Sequence, residues 1–135
     1  MRILGLDFGE KRIGVAITDP LGITAQGIDV ITYATSDEAF GRIEVICRSY
    51  GVEKVVVGNP LNMNGTKGAA AENALLFANR LKKLLNIPVV LIDERLTSVS
   101  AEKTLIAGGV NRKNRRAVRD KLAAALILEL YMSLQ

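Results

Sequence analysis

The chain has 135 residues, 49% hydrophobic and 24% charged, with a formal net charge of +4, which describes one globular domain over 1–135 and excludes a disordered tail. It holds no histidine, no tryptophan and a single cysteine, Cys47, which excludes Ser-His-Asp and Cys-His catalysis, the usual zinc sites and an internal disulfide. Three Phe and three Tyr are too few for a base-stacking platform, no apolar run approaches the roughly 18 residues of a membrane span, and a reduced cysteine suits the cytoplasm.

Residues 2–8 and 12–18 are two β-rich runs joined through Gly9-Glu10-Lys11, a tight hairpin connection. A third strand is expected over 23–31, after the Pro20-Leu21-Gly22 turn. Thr35 or Ser36 then caps a helix, with Glu38 spaced from Thr35 as in a capping box. Phe40, Ile43, Cys47 and Tyr50 form its apolar stripe, and Gly51 ends it. Residues 54–57 form a short strand of the kind covered on both faces.

A polar loop over 59–68 leads to a helix over 69–85, with Leu75, Ala78, Leu81 and Leu85 at helical spacing. The fifth strand, over 88–92, is again apolar. A helix over about 98–107 stops at Gly108-Gly109, and a basic loop runs into a final helix from about 115 to 134. The expected fold is α/β: a five-stranded mixed sheet, three antiparallel meander strands followed by two parallel ones, with helices on both faces.

That topology sorts the acidic residues. The first, fourth and fifth strands should run parallel, so Asp7, the Gly58-Asn59-Pro60 turn and Asp93-Glu94 emerge at one edge, where open α/β sheets bind ligands. Asp19 ends the antiparallel second strand and falls at the other edge, on the order of 20 Å away at about 3.3 Å per residue. On the last helix Asp120 shares a face with Ala124, Ile127 and Tyr131, so it points inward with an apolar stripe. A buried acid needs a metal, a cation or hydrogen bonds, and the plain structural answer is a salt bridge to Lys11, Arg95 or Arg116. Carboxylates at one sheet edge without histidine suit Mg²⁺ or Mn²⁺, which prefer oxygen ligands and, as a pair, clamp a phosphodiester displacement.

Charge points to the same chemistry. Of the 18 basic residues six lie between Asn111 and Lys121 (Arg112, Lys113, Arg115, Arg116, Arg119 and Lys121) against Asp120 alone. The remainder is close to neutral, so the positive excess is a local patch, as a phosphate-backbone contact requires.

The blocks DFGEKRIGVAITD, VVVGNP, DERLTS and DKLAAALIL, in this order, resemble the signature blocks of the YqgF/RuvX family across essentially the whole chain. The resemblance implies an RNase H-like fold, a relation to RuvC-type resolvases and a metal-dependent nuclease. It implies two roles, 5′-end maturation of 16S ribosomal RNA on the pre-ribosomal small subunit and cleavage of branched DNA. Matched by motif, Asp7, Glu94 and Asp120 are the catalytic and metal-holding acids, with Glu94 taken over Asp93 mainly on that match. One departure is visible, Gly58-Asn59-Pro60 where the family often has Gly-Leu-Pro.

Around that set, Arg12 and Arg95 are expected to fork onto a phosphate, and Gly9 to leave room for one. Lys11 and Lys67 read equally as backbone contacts or ordinary surface cations. Two ions would divide the work of activating water and stabilising the leaving 3′ oxygen. Rival readings are an ATP-binding lobe of the sugar-kinase type, which requires a second lobe, and a non-catalytic RNA-binding maturation factor. A resolvase would need a two-fold dimer, but no dimer helix stands out beyond the apolar final helix, whose stripe the core needs, so a monomer or weak homodimer is expected.

Overall fold

In this computed structural model the described residues are 1–9, 11–59, 68–93 and 112–135, with side chains in the last segment described from Val118 onward. The elements are β1 (Arg2–Phe8), β2 (Arg12–Thr18), β3 (Ala25–Thr32), α1 (Ser36–Tyr50), β4 (Val52–Asn59), α2 (Ala69–Leu85), β5 (Val89–Asp93) and α3 (Arg112–Ser133). The five strands form one sheet in the order β3-β2-β1-β4-β5. β1, β2 and β3 are an antiparallel meander, whereas β4 runs parallel to both β1 and β5. The mixed sheet expected from the sequence is the one found.

Two cores cover its faces. Leu4, Leu6, Ile13, Val15, Val55 and Val57 pack with Phe40 and Ile43 of α1 and Phe77, Ala78 and Leu81 of α2. Ile3, Ala16, Val56 and Ile92 pack on the other face against Ala124, Ala125, Ile127 and Leu128 of α3. The period-2 alternation of the strands thus divides their side chains between α1 with α2 and α3.

Helix ends follow their local chemistry. The Thr35 hydroxyl accepts from Glu38 N–H at 3.3 Å, and the Glu38 carboxylate reaches back to Ala34 N–H at 3.2 Å. Gly51, at φ 66°, closes α1 by donating to the Cys47 carbonyl, and Asn86, at φ 56°, closes α2 through Lys82. Burial, with the Glu44 charge adding, pushes the Cys47 thiol up to about 11. It stays protonated at neutral pH and serves packing, not nucleophilic chemistry. No helix among the described residues is long and apolar enough to cross a membrane.

Several boundaries and stripes differ from the sequence expectation. β3 starts at Ala25, not residue 23, because Asp19 holds the preceding turn by accepting from Leu21, Ile23 and Thr24 N–H. Those amides, Thr24 foremost, hold the Asp19 carboxyl below its ordinary range. Tyr50 lies off the buried stripe, 42% exposed, with the Arg2 guanidinium over its ring. Leu75 is 40% exposed and Phe77 takes the core position, stacked on Phe40. β5, at an edge of the described sheet, is only half-buried along most of its length. α3 begins at Arg112, three residues before the expected start, so Asp120 lies well inside the helix. The expected helix over 98–107 lies outside the described residues.

Candidate functional site

Asp7 lies near the carboxyl end of β1, one residue after Leu6 of the α1/α2 core, so alternation places it on the α3 face. Across the hairpin it is paired with Gly14 of β2. At Gly14 α3 lies directly against the sheet: a methyl group there would overlap the main-chain carbonyl of Asp120. Gly27 on β3 abuts Lys121 in the same way, and Gly5 on β1 abuts Leu128. Bare backbone on three neighbouring strands therefore seats α3 and brings Asp120 beside Asp7. That row of glycines is a readable sequence signal, but it acquires meaning only once strand register is known.

Asp120 is 8% exposed, and its charge is answered by Arg12, whose Nε donates to Oδ2 at 2.7 Å. Arg119 lies farther off, 3.9 Å from Oδ1. The salt bridge was expected from Lys11, Arg95 or Arg116; Arg12 forms it because the first residue of β2 stands two places from Gly14 on the same strand face. Arg95 and the Arg116 side chain lie outside the described residues. Asp7, Gly9, Lys11, Arg12 and Asp120 together line a cleft of about 320 Å³.

The turn at the mouth of this cleft is held by a residue that the sequence did not single out. Tyr33 donates its hydroxyl to the Gly9 carbonyl at 2.6 Å and its N–H to the Lys11 carbonyl at 3.3 Å. Gly9 N–H donates to the Arg12 carbonyl at 3.0 Å, and a Cβ on Gly9 would lie 2.8 Å from that same oxygen. Hairpin closure, apart from any room it leaves for a phosphate, thus requires glycine at this position.

The remaining expected residues divide clearly. Gly58 and Asn59 end β4, and Asn59 is paired with Asp93 of β5, so these strand ends do meet at the edge where Asp7 lies. Asn59, however, follows Val55 and Val57 on the α1/α2 face, away from Asp7, and among the described residues its buried Oδ1 has no hydrogen-bond partner. Asp19 follows the far end of β2, as expected. Pro60, Lys67, Glu94 and Arg95 lie outside the described residues, as do the side chains of Arg112, Lys113, Arg115 and Arg116. Among the described residues no three His, Cys, Asp or Glu side chains gather as a metal site; the cleft supplies Asp7 and Asp120.

A family model described as "RuvX: Holliday junction resolvase" matches residues 1–134. The chain belongs to the RuvX family. A Listeria innocua relative named "Putative pre-16S rRNA nuclease" is 52% identical over 134 residues, covering 98% of this chain and 97% of the relative. A Pelotomaculum thermopropionicum protein of the same name is 53% identical, covering 100% of this chain and 88% of its own. Among solved structures, Thermus thermophilus RuvC in complex with a Holliday junction substrate superposes with a TM-score of 0.58 at 19% identity, covering 99% of this chain and 96% of that one. The fowlpox virus Holliday junction resolvase gives 0.58 at 17% identity, with both chains fully covered. At such identities the likeness speaks to fold, and the fold of this RuvX-family chain is RNase H-like.

Proposed function

We propose that this RuvX-family chain is a divalent-cation-dependent nuclease that hydrolyses phosphodiester bonds in the 5′-end processing of pre-16S rRNA. The observation that carries this reading is the cleft in which Asp7 and Asp120 stand with Lys11 and Arg12. Oxygen donors and cations side by side suit a phosphate held between metal and protein. Glu94 completes the set of acids. It follows Asp93 directly, and Ile92, two residues before it, packs on the α3 side that Asp7 shares.

The donor chemistry fits a hard cation, because Asp7, Glu94 and Asp120 offer carboxylate oxygen and the chain has no histidine. Bound there, a pair of Mg²⁺ or Mn²⁺ ions would supply Lewis-acid charge to the phosphoryl and leaving oxygens and lower the pKa of water. The chain's own residues hold and orient the strand. Arg12 and Arg95 fork onto the scissile phosphate. Lys11, Lys67 and the segment carrying Arg112, Lys113, Arg115, Arg116 and Arg119 neutralise phosphates farther along. Gly9 and the Gly58-Asn59-Pro60 turn shape the edge against which the strand lies.

The relatives' name favours RNA, and with it the pre-ribosomal small subunit as partner and a monomer or weak homodimer as working unit. Resolution of branched DNA is the second reading, favoured by the family description and by the RuvC fold; it requires a two-fold dimer to cut both strands.

The test sets an end-labelled pre-16S 5′ leader RNA beside a four-way DNA junction, each with Mg²⁺, Mn²⁺ or EDTA. The expected outcome is metal-dependent cleavage of the RNA that Asp7→Asn abolishes, on the order of 10³-fold or more, with an unchanged thermal transition. Cleavage by Asp7→Asn at the wild-type rate would falsify the assignment. Junction cleavage alone would select the second reading, and salt-sensitive binding without cleavage a non-catalytic RNA-binding factor.

A further inference from the structure

Two positive groups have a claim on one carboxylate. Asp120 is the ligand that α3 contributes to the proposed metal site, yet its Oδ2 already accepts from Arg12 Nε at 2.7 Å, across 108 residues of sequence. The Asp120 side chain is only 12% exposed and that of Arg12 30%, so water screens the pair weakly on the carboxylate side and leaves the arginine access to the cleft. The hydrogen bond is made through Nε. Both side chains line the same cleft.

We propose that Arg12 is the internal counter-ion of Asp120, neutralising the buried carboxylate until a divalent cation displaces it, and thereby setting the affinity of the site for that cation. The inference rests on the reading of Asp120 as a metal ligand. A guanidinium and a divalent ion sharing one carboxylate repel each other, so each weakens the binding of the other by the same factor. Without Arg12, the buried carboxylate would keep only the longer 3.9 Å contact to Arg119 in the ion-free protein, and the cation would relieve that cost on binding. Displacement also turns the guanidinium loose on the cleft wall, where an anionic substrate would meet it.

Calorimetry and thermal unfolding of the full chain with Mn²⁺ alone, comparing wild type, Arg12→Gln, Arg12→Lys and Asp120→Asn, test this. Arg12→Gln is expected to bind Mn²⁺ about tenfold or more tightly than wild type, in line with the effect of one neighbouring charge on a carboxylate. Its melting temperature should be lower than wild type without the ion and rise further on adding it. Arg12→Lys, which keeps the charge, should bind Mn²⁺ close to wild type, and Asp120→Asn should lose the site. A second readout needs no variant: the Arg12 Nε–H resonance of the wild-type protein should move on Mg²⁺ titration and become solvent-exchanging. Equal or weaker Mn²⁺ binding by Arg12→Gln, or an Nε–H signal that stays put at saturating Mg²⁺, would overturn the proposal, since Arg12 would then steady Asp120 as a ligand. No Mn²⁺ binding by wild type would overturn the metal-site reading itself.

Discussion

Asn59 stands at the end of a buried parallel strand with its side-chain oxygen buried and, among the described residues, unpartnered. Leaving such an acceptor unsatisfied costs about 1–3 kcal/mol, and a leucine side chain of similar size has no polar atom to leave unsatisfied. Asn59→Leu is therefore expected to raise unfolding stability by about 1–3 kcal/mol in urea or thermal melts. Lost stability would mean that the amide oxygen has a partner that holds it. Asp120 shows the opposite solution to the same problem: a buried polar group made tolerable chiefly by a charged neighbour, Arg12, with Arg119 farther off. The sequence showed that Asp120 must point inward. It could not name the residue that meets it, because a pair 108 residues apart is fixed by how helix and strand dock.

At the scale of elements, the seating of α3 decides the geometry of the cleft. Its helix backbone lies directly on Gly14 and Gly27, so any side chain there must lift the helix. Gly14→Ala is expected to destabilise the fold by about 1–3 kcal/mol, the usual cost of overpacking. It should also weaken Mn²⁺ binding, because the shift acts on Asp120 itself. Gly41, in the middle of α1 with nothing within 4 Å of an added Cβ, supplies the contrast. Gly41→Ala should stabilise by about 0.5–1 kcal/mol through helix propensity and leave metal binding unchanged. Denaturation curves and calorimetry on both variants check the pair; equal effects at the two glycines would remove the docking argument. Amphipathic patterning located α1, α2 and the last helix within a few residues, since each buries one face. It misjudged Leu75 and Tyr50 because periodicity does not say how wide a stripe the sheet will cover.

For the whole molecule, charge placement sets the outlook toward a polyanion. The basic excess lies at the amino-terminal end of α3 and leads, along one helix, to the acid in the cleft. Replacing Arg115 and Arg116 together by glutamine should reduce the slope of log K against log salt by about 0.7 per lost contact on a single strand. Binding titrations from low to moderate salt measure it, and an unchanged slope would place those arginines away from the nucleic acid. The mixed sheet, its strand directions and the edge that gathers Asp7 with the end of β5 followed from the sequence by itself, because alternation, turn residues and the rules for crossover connections act locally or through few choices. The seat of α3 on bare glycine backbone, the Arg12–Asp120 pair, the Tyr33 clasp on the hairpin and the orphaned oxygen of Asn59 were decided only by tertiary structure, because each depends on which atoms meet when separate elements pack.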